Sequence, residues 1–111
     1  MGYTLLVRLE AARLIRGYTA GVTFEEFFRN NEKRDAVALR ISVLGESAHK
    51  IDRVTETALP SIPFKSIHGM RNRIARDYGA VDFAIVWDVA KQEIPALIKI
   101  LETFLKTRST P

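Results

Sequence analysis

The sequence predicts an all-α protein, an up-and-down bundle of about five helices, and three observations carry that prediction. Apolar residues recur at spacings of three and four through nearly the whole chain, the period of a helix with one buried side. No stretch alternates apolar and polar residues at the period of two that a half-buried strand requires. Capping residues, glycines and prolines divide the chain into pieces of helical length. With 111 residues and no repeat, low-complexity tract or linker, residues 1–111 read as one domain.

The elements follow in order. Residues 3–17 place Val7, Ala11, Leu14, Ile15 and Tyr18 on one stripe, with Leu5, Leu6 and Leu9 roughly opposite beside Arg13 and Arg16. That second apolar face needs a cover, either another helix of the chain or a second subunit. Gly17 and Gly21 read as the break after this helix. Thr23 and Glu26 form a capping box for a short second helix, with Val22 and Phe27 as its hydrophobic staple. The third helix, about 33–51, carries Val37, Ile41, Leu44, Ala48 and Ile51 as a core stripe, with Glu46 and Lys50 paired outside. The "LPSIPF" stretch is a proline-punctuated break, and Pro63 suits the first turn of the next helix. That fourth helix is expected over residues 65–78, ending at Gly79. Asp82 caps the last helix, whose inward residues are Phe83, Val86, Ala90, Leu97, Leu101 and Phe104, with a kink expected at Pro95.

Composition narrows the function classes. No apolar run approaches the length of a membrane span, and the opening residues lack the basic start and small-residue cleavage site of a secretion signal. Zero cysteines exclude disulfides and thiolate metal sites, which fits a cytoplasmic protein. With two histidines, neither a protein-built metal site nor a cofactor is expected. The net charge of +4 permits contact with nucleic acid without demanding it.

The informative stretch is "GMRNRIARDYGAVD", residues 69–82, which holds Arg71, Arg73 and Arg76 within six positions, then Tyr78. At about 100° per residue, Ile67, Met70, Ile74 and Tyr78 share one side of a helix, with Arg71 at its edge directly below Tyr78. His68, Asn72 and Arg76 form a second column, while Arg73 and Asp77 form a third that faces solvent. His49 reads as plain surface. An arginine fork can hold a phosphate bidentately, and a tyrosine can stack on a base. The alternative is that Arg71 lays its stem along the core and Tyr78 is half-buried packing. Spacing alone leaves both open.

The chain resembles the HepT family of HEPN-domain proteins, the toxin partners of minimal nucleotidyltransferases (MNT). The likeness rests on "YTAG", "RDAVALRISVLGESAHKI", "LPSIPF", "GMRNRIARDYGAVDFAIVW" and "IPALI", and it covers most of the chain. The resemblance implies a homodimeric, metal-independent endoribonuclease. Its motif is an arginine, an adjacent asparagine, a histidine four to six positions after the arginine, and a tyrosine two further on. Here these positions are Arg71, Asn72, Arg76 and Tyr78, with Arg71, Arg73 and Arg76 as the RNA-facing cations. The resemblance also implies that an MNT antitoxin attaches AMP to Tyr78.

The departure is Arg76, which stands where the family has its histidine. Metal-free RNA cleavage needs a base for the ribose 2′-hydroxyl proton and an acid for the leaving oxygen, roles that suit an imidazole titrating near pH 6.5. An arginine is neutral at pH 7 in at most on the order of 10⁻⁵ of molecules. It grips phosphate and does not shuttle protons. His68 stands eight residues earlier, about 12 Å along a helix. Tyr78 could act only if flanking guanidiniums pull its pKa well below 10. Three readings follow: a toxin that retains cleavage, one that has lost it and keeps RNA binding or MNT engagement, and a structural helical homodimer with no nucleic-acid role.

Overall fold

The computed structural model describes residues 2–48 and 64–109. The expectations for His49, for Lys50 as partner of Glu46, for Ile51 and for the stretch to Pro63 fall outside them. The elements are α1 (Gly2–Thr19), α2 (Phe24–Arg29), α3 (Asn31–Ala48), α4 (Phe64–Arg76), a 3₁₀ turn (Tyr78–Ala80), α5 (Phe83–Asp88), a π turn (Val89–Glu93) and α6 (Ile94–Ser109). Since α5, the π turn and α6 follow without a break, the described residues form five helices and no strand. The all-α bundle is as the sequence predicts. None of these helices is long and apolar enough to cross a membrane.

The first helix differs from expectation in two ways. It runs through Gly17 to Thr19, and Gly21 alone makes the break, with φ at +67°. A glycine inside a helix costs only about 1 kcal/mol, and the tertiary packing of α1 carries it. The buried stripe is Arg8, Ala11, Ala12, Ile15 and Thr19, joined by Leu9, whereas Val7, Leu14 and Tyr18 are half-buried and Leu6 is exposed. Two polar residues therefore sit in the core. Arg8 is 1% exposed, and burial pushes its guanidinium down to about 10, since the cationic form loses its hydration. Thr19 satisfies its hydroxyl by donating to the Ile15 carbonyl at 3.0 Å. The carbonyls at the end of α1 receive ammonium groups, Lys33 on Tyr18 at 3.1 Å and Lys91 on Thr19 at 3.1 Å. These satisfy orphan carbonyls at the negative end of the helix.

Local signals in the middle of the chain hold. Thr23 and Glu26 exchange both capping-box bonds, at 3.1 and 3.2 Å, and Phe27 is fully buried. Asn30 accepts from the Lys33 amide at 3.0 Å and so starts α3. Val37, Ile41 and Leu44 are buried as predicted.

On the last rod, Asp82 accepts from the Ala84 amide at 2.9 Å, and Val86, Ala90, Leu97 and Leu101 are buried as expected. Val89, Ile94 and Ile98 join them. Pro95 is accommodated by a π turn, in which the Ile94 amide reaches back five residues to Val89. Proline has no N–H to give its own turn, and a widened turn just before it absorbs the mismatch. Ile94 continues the predicted stripe, four residues after Ala90 and three before Leu97.

Candidate functional site

Helix α4 carries most of the candidate residues, and its packing against α3 decides where each one goes. Ile67 is buried, Met70 and Ile74 are half-buried against the core, and Arg71 and Asn72 are half-buried beside them. The crossing point is Gly45 of α3. A Cβ placed there would lie 2.2 Å from Arg71 Cβ, 2.8 Å from its Cγ and 3.1 Å from the Ile67 carbonyl oxygen. Only a residue without a side chain lets the two backbones come this close. His68 adds a polar tie, with Nδ1 donating to the Gly45 carbonyl at 3.2 Å.

Of the two readings its spacing left open, the structure bears on the packing one for Arg71. Its stem packs across Gly45, and its head is fixed by a bond from Nη1 to Asn72 Oδ1 at 3.0 Å.

Tyr78 does not lie above Arg71. Helix α4 ends at Arg76, and Asp77 takes a non-helical backbone, φ −154° and ψ 81°. Tyr78 then begins a 3₁₀ turn closed by the Val81 amide on the Tyr78 carbonyl at 3.2 Å. The sequence expectation carried helical periodicity through to residue 78, and the turn at Asp77 ends it two residues sooner. The phenol hydroxyl donates to the carboxylate of Asp35 on α3, and the ring meets Phe83 edge-on with centroids 5.7 Å apart. Gly45 and Asp35 are ten residues apart on α3, about 15 Å of helix. Arg71 and Tyr78 therefore occupy separate stations along that helix.

The condition under which Tyr78 could act as a base is not met. Its pKa is pushed up to about 12 by burial first, then by the bond to Asp35 and that carboxylate's charge, with Arg34 working the other way. The flanking motif arginines were the cations that could have lowered it. The cation that acts on it belongs to α3, and the carboxylate outweighs it.

Arg73 and Arg76 are exposed between the two stations, and with Asp77 and Ala80 they line an open hollow of about 290 Å³. Arg73 and Asp77 face solvent as predicted, but no ion pair joins them in the structure. Among those residues no group of three or more His, Asp or Glu side chains is arranged to hold a metal ion.

Sequence reasoning missed Asp35, Arg34 and Phe28. Arg34 is clasped between rings, its guanidinium carbon 5.5 Å from the centre of Phe28 and 4.9 Å from that of Phe83. Nothing in a linear reading pairs residue 35 with residue 78. The contact exists only once α3 and α4 lie antiparallel.

The chain belongs to the HepT-like ribonuclease family, whose model, described as "Ribonuclease HepT-like", matches residues 8–104. "Putative RNase MJ1216" of Methanocaldococcus jannaschii is 37% identical over 92 residues, covering 83% of this chain and 76% of its own. "Probable ribonuclease HepT" of Thermococcus cleftensis is 30% identical over 88 residues, 79% of this chain and 80% of its own. A third relative from M. jannaschii, "Gamma-glutamylcyclotransferase and putative RNase MJ0434", is 33% identical over 91% of this chain, which spans 47% of that longer protein. No solved structure matches the chain.

Proposed function

We propose that this chain is the toxin-side member of a HepT/MNT toxin–antitoxin pair, directed at RNA, and that as written it grips RNA rather than cutting it. Arg71, oriented by Asn72, together with Arg73 and Arg76 supplies the phosphate-facing cations. The single observation that carries the reading is Arg76, a permanent cation at the position of the family's histidine.

The other proton carriers near the motif support it. His68 is engaged with the Gly45 carbonyl. Burial and Asp35 push the Tyr78 phenol up to about 12, far above the range in which a base is useful at neutral pH. Membership of a ribonuclease family supports RNA as the target. A homodimer, an MNT partner, AMP attached to Tyr78 and a cytoplasmic location complete the proposal.

The test is incubation of purified protein with RNA, with and without chelator, beside Arg71→Ala and Arg76→His. Wild type should cleave no more than the Arg71→Ala control, and Arg76→His should gain chelator-resistant cleavage. Vigorous cleavage by wild type that Arg76→Ala abolishes would overturn it.

A further inference from the structure

We infer a second binding site, a pocket for a single nucleotide, where α2 and the start of α3 face the turn between α4 and α5. It is an open hollow of about 450 Å³ bounded by Phe28, Arg34, Tyr78, Asp82 and Phe83, within the size range of small-ligand pockets. The inference shares Tyr78 with the reading above and goes beyond it, because none of Arg71, Asn72, Arg73 or Arg76 lines this pocket.

Three observations specify the ligand. First, two aromatic rings stay open to it, Phe28 at 50% exposed and Tyr78 at 40%. A ring face left in solvent beside a cation is the arrangement on which unpaired bases stack. Second, Arg34 carries an uncompensated charge. It is held by the rings of Phe28 and Phe83 and by the neutral side-chain oxygen of Asn31, and among the described residues no carboxylate pairs with it. A guanidinium so placed is free to take the phosphate of a nucleotide whose base lies on the neighbouring ring. Third, the rim is acidic as well as aromatic. Asp82 uses one oxygen on the Ala84 amide, and Asp35 takes the Tyr78 hydroxyl. Carboxylates only accept hydrogen bonds, so the rim favours the bases bearing an exocyclic amine, adenine, cytosine and guanine, over uracil. It also disfavours a bare anion. The bound unit is one residue of an RNA strand or a free mononucleotide, since the chemistry recognised is the same.

The experiment is a titration of the ¹⁵N-labelled full chain with 5′-AMP, 5′-CMP, 5′-UMP, inorganic phosphate and an unstructured oligoadenylate, followed by amide shifts and repeated on Phe28→Ala and Phe28→Tyr. AMP and CMP should move the amides of residues 28–35 and 78–83, with UMP binding more weakly. Phe28→Ala should weaken AMP about tenfold, the usual loss for one stacked base, and Phe28→Tyr should restore it. Oligoadenylate binding tighter than AMP would identify the strand as the source, and equal affinity would identify the free nucleotide. The inference is overturned if millimolar nucleotide leaves these amides unmoved, or if phosphate alone reproduces the AMP shifts and Phe28→Ala is without effect. It is equally overturned if Phe28→Ala changes the oligomeric state and leaves nucleotide affinity alone, since the ring would then serve a second copy of the chain.

Discussion

Near its first half, α4 meets α3 over Gly45, where the stem of Arg71 fills the space a side chain would need and His68 closes on the same glycine's carbonyl. Past its last residue, the chain is tied to the other end of α3 by a phenol on a carboxylate, with an arginine clasped between two rings alongside. The first station is held by contact distance and tolerates no added atom. The second is held by polar and aromatic contacts at a half-open surface, where groups can turn or admit a ligand. A motif that looks continuous in sequence is thus divided between a packed anchor and an open pocket.

The largest effect is expected at the anchor. Gly45→Ala forces a methyl to within 2.2 Å of Arg71 Cβ, an atom that cannot rotate away because it is fixed to the α4 backbone. Added helix propensity recovers at most about 1 kcal/mol, and overpacking of this kind costs about 1–3 kcal/mol. Thermal unfolding should show a midpoint several degrees below wild type. An unchanged midpoint would mean that α3 and α4 do not cross where described.

A smaller effect belongs to the open station. Replacing Asp35 by Asn removes the carboxylate that helps hold Tyr78 as a phenol, so its ionisation should fall from about 12 toward its ordinary value near 10. The sign for stability follows. Because the folded-state value is raised, the contribution of the Tyr78–Asp35 contact is complete below pH 10 and is lost as pH rises from 10 toward 12. Tyrosinate absorbance, read against Tyr78→Phe to isolate this ring from Tyr3 and Tyr18, measures both points. An Asp35→Asn protein whose Tyr78 still titrates near 12 would leave burial as the whole cause.

The same division explains what the sequence could and could not tell. The helices, the Thr23 and Asp82 caps and the Val37–Ile41–Leu44 stripe depend on neighbours within one or two turns, and all were legible. Arg71 at the edge of the packed face was legible too, because Ile67, Met70 and Ile74 define that face locally. Tyr78 was misplaced, since a single non-helical residue at Asp77 cancels the phase carried up the helix. Asp35 and Arg34 left no local trace, because Tyr78 and Phe83, which they meet, lie more than 40 positions away, and Phe28 joins them only through Arg34.

The smallest effect on the fold, and the sharpest on function, is expected at Arg76. Its side chain is exposed at the end of α4 in a hollow that belongs to neither station, so Arg76→Ala should leave the unfolding midpoint within experimental scatter, as surface substitutions usually do. If Arg76 grips a phosphate, however, each such contact releases counterions. The slope of log affinity against log salt for single-stranded RNA should then become shallower by about 0.7. Arg71→Ala should change the slope similarly and also lower the midpoint, because its stem is part of the Gly45 crossing. That difference between two arginines five residues apart separates gripping from packing. A slope untouched by Arg76→Ala would leave the exposed cation a surface residue, and phosphate binding would rest on Arg71 and Arg73 alone.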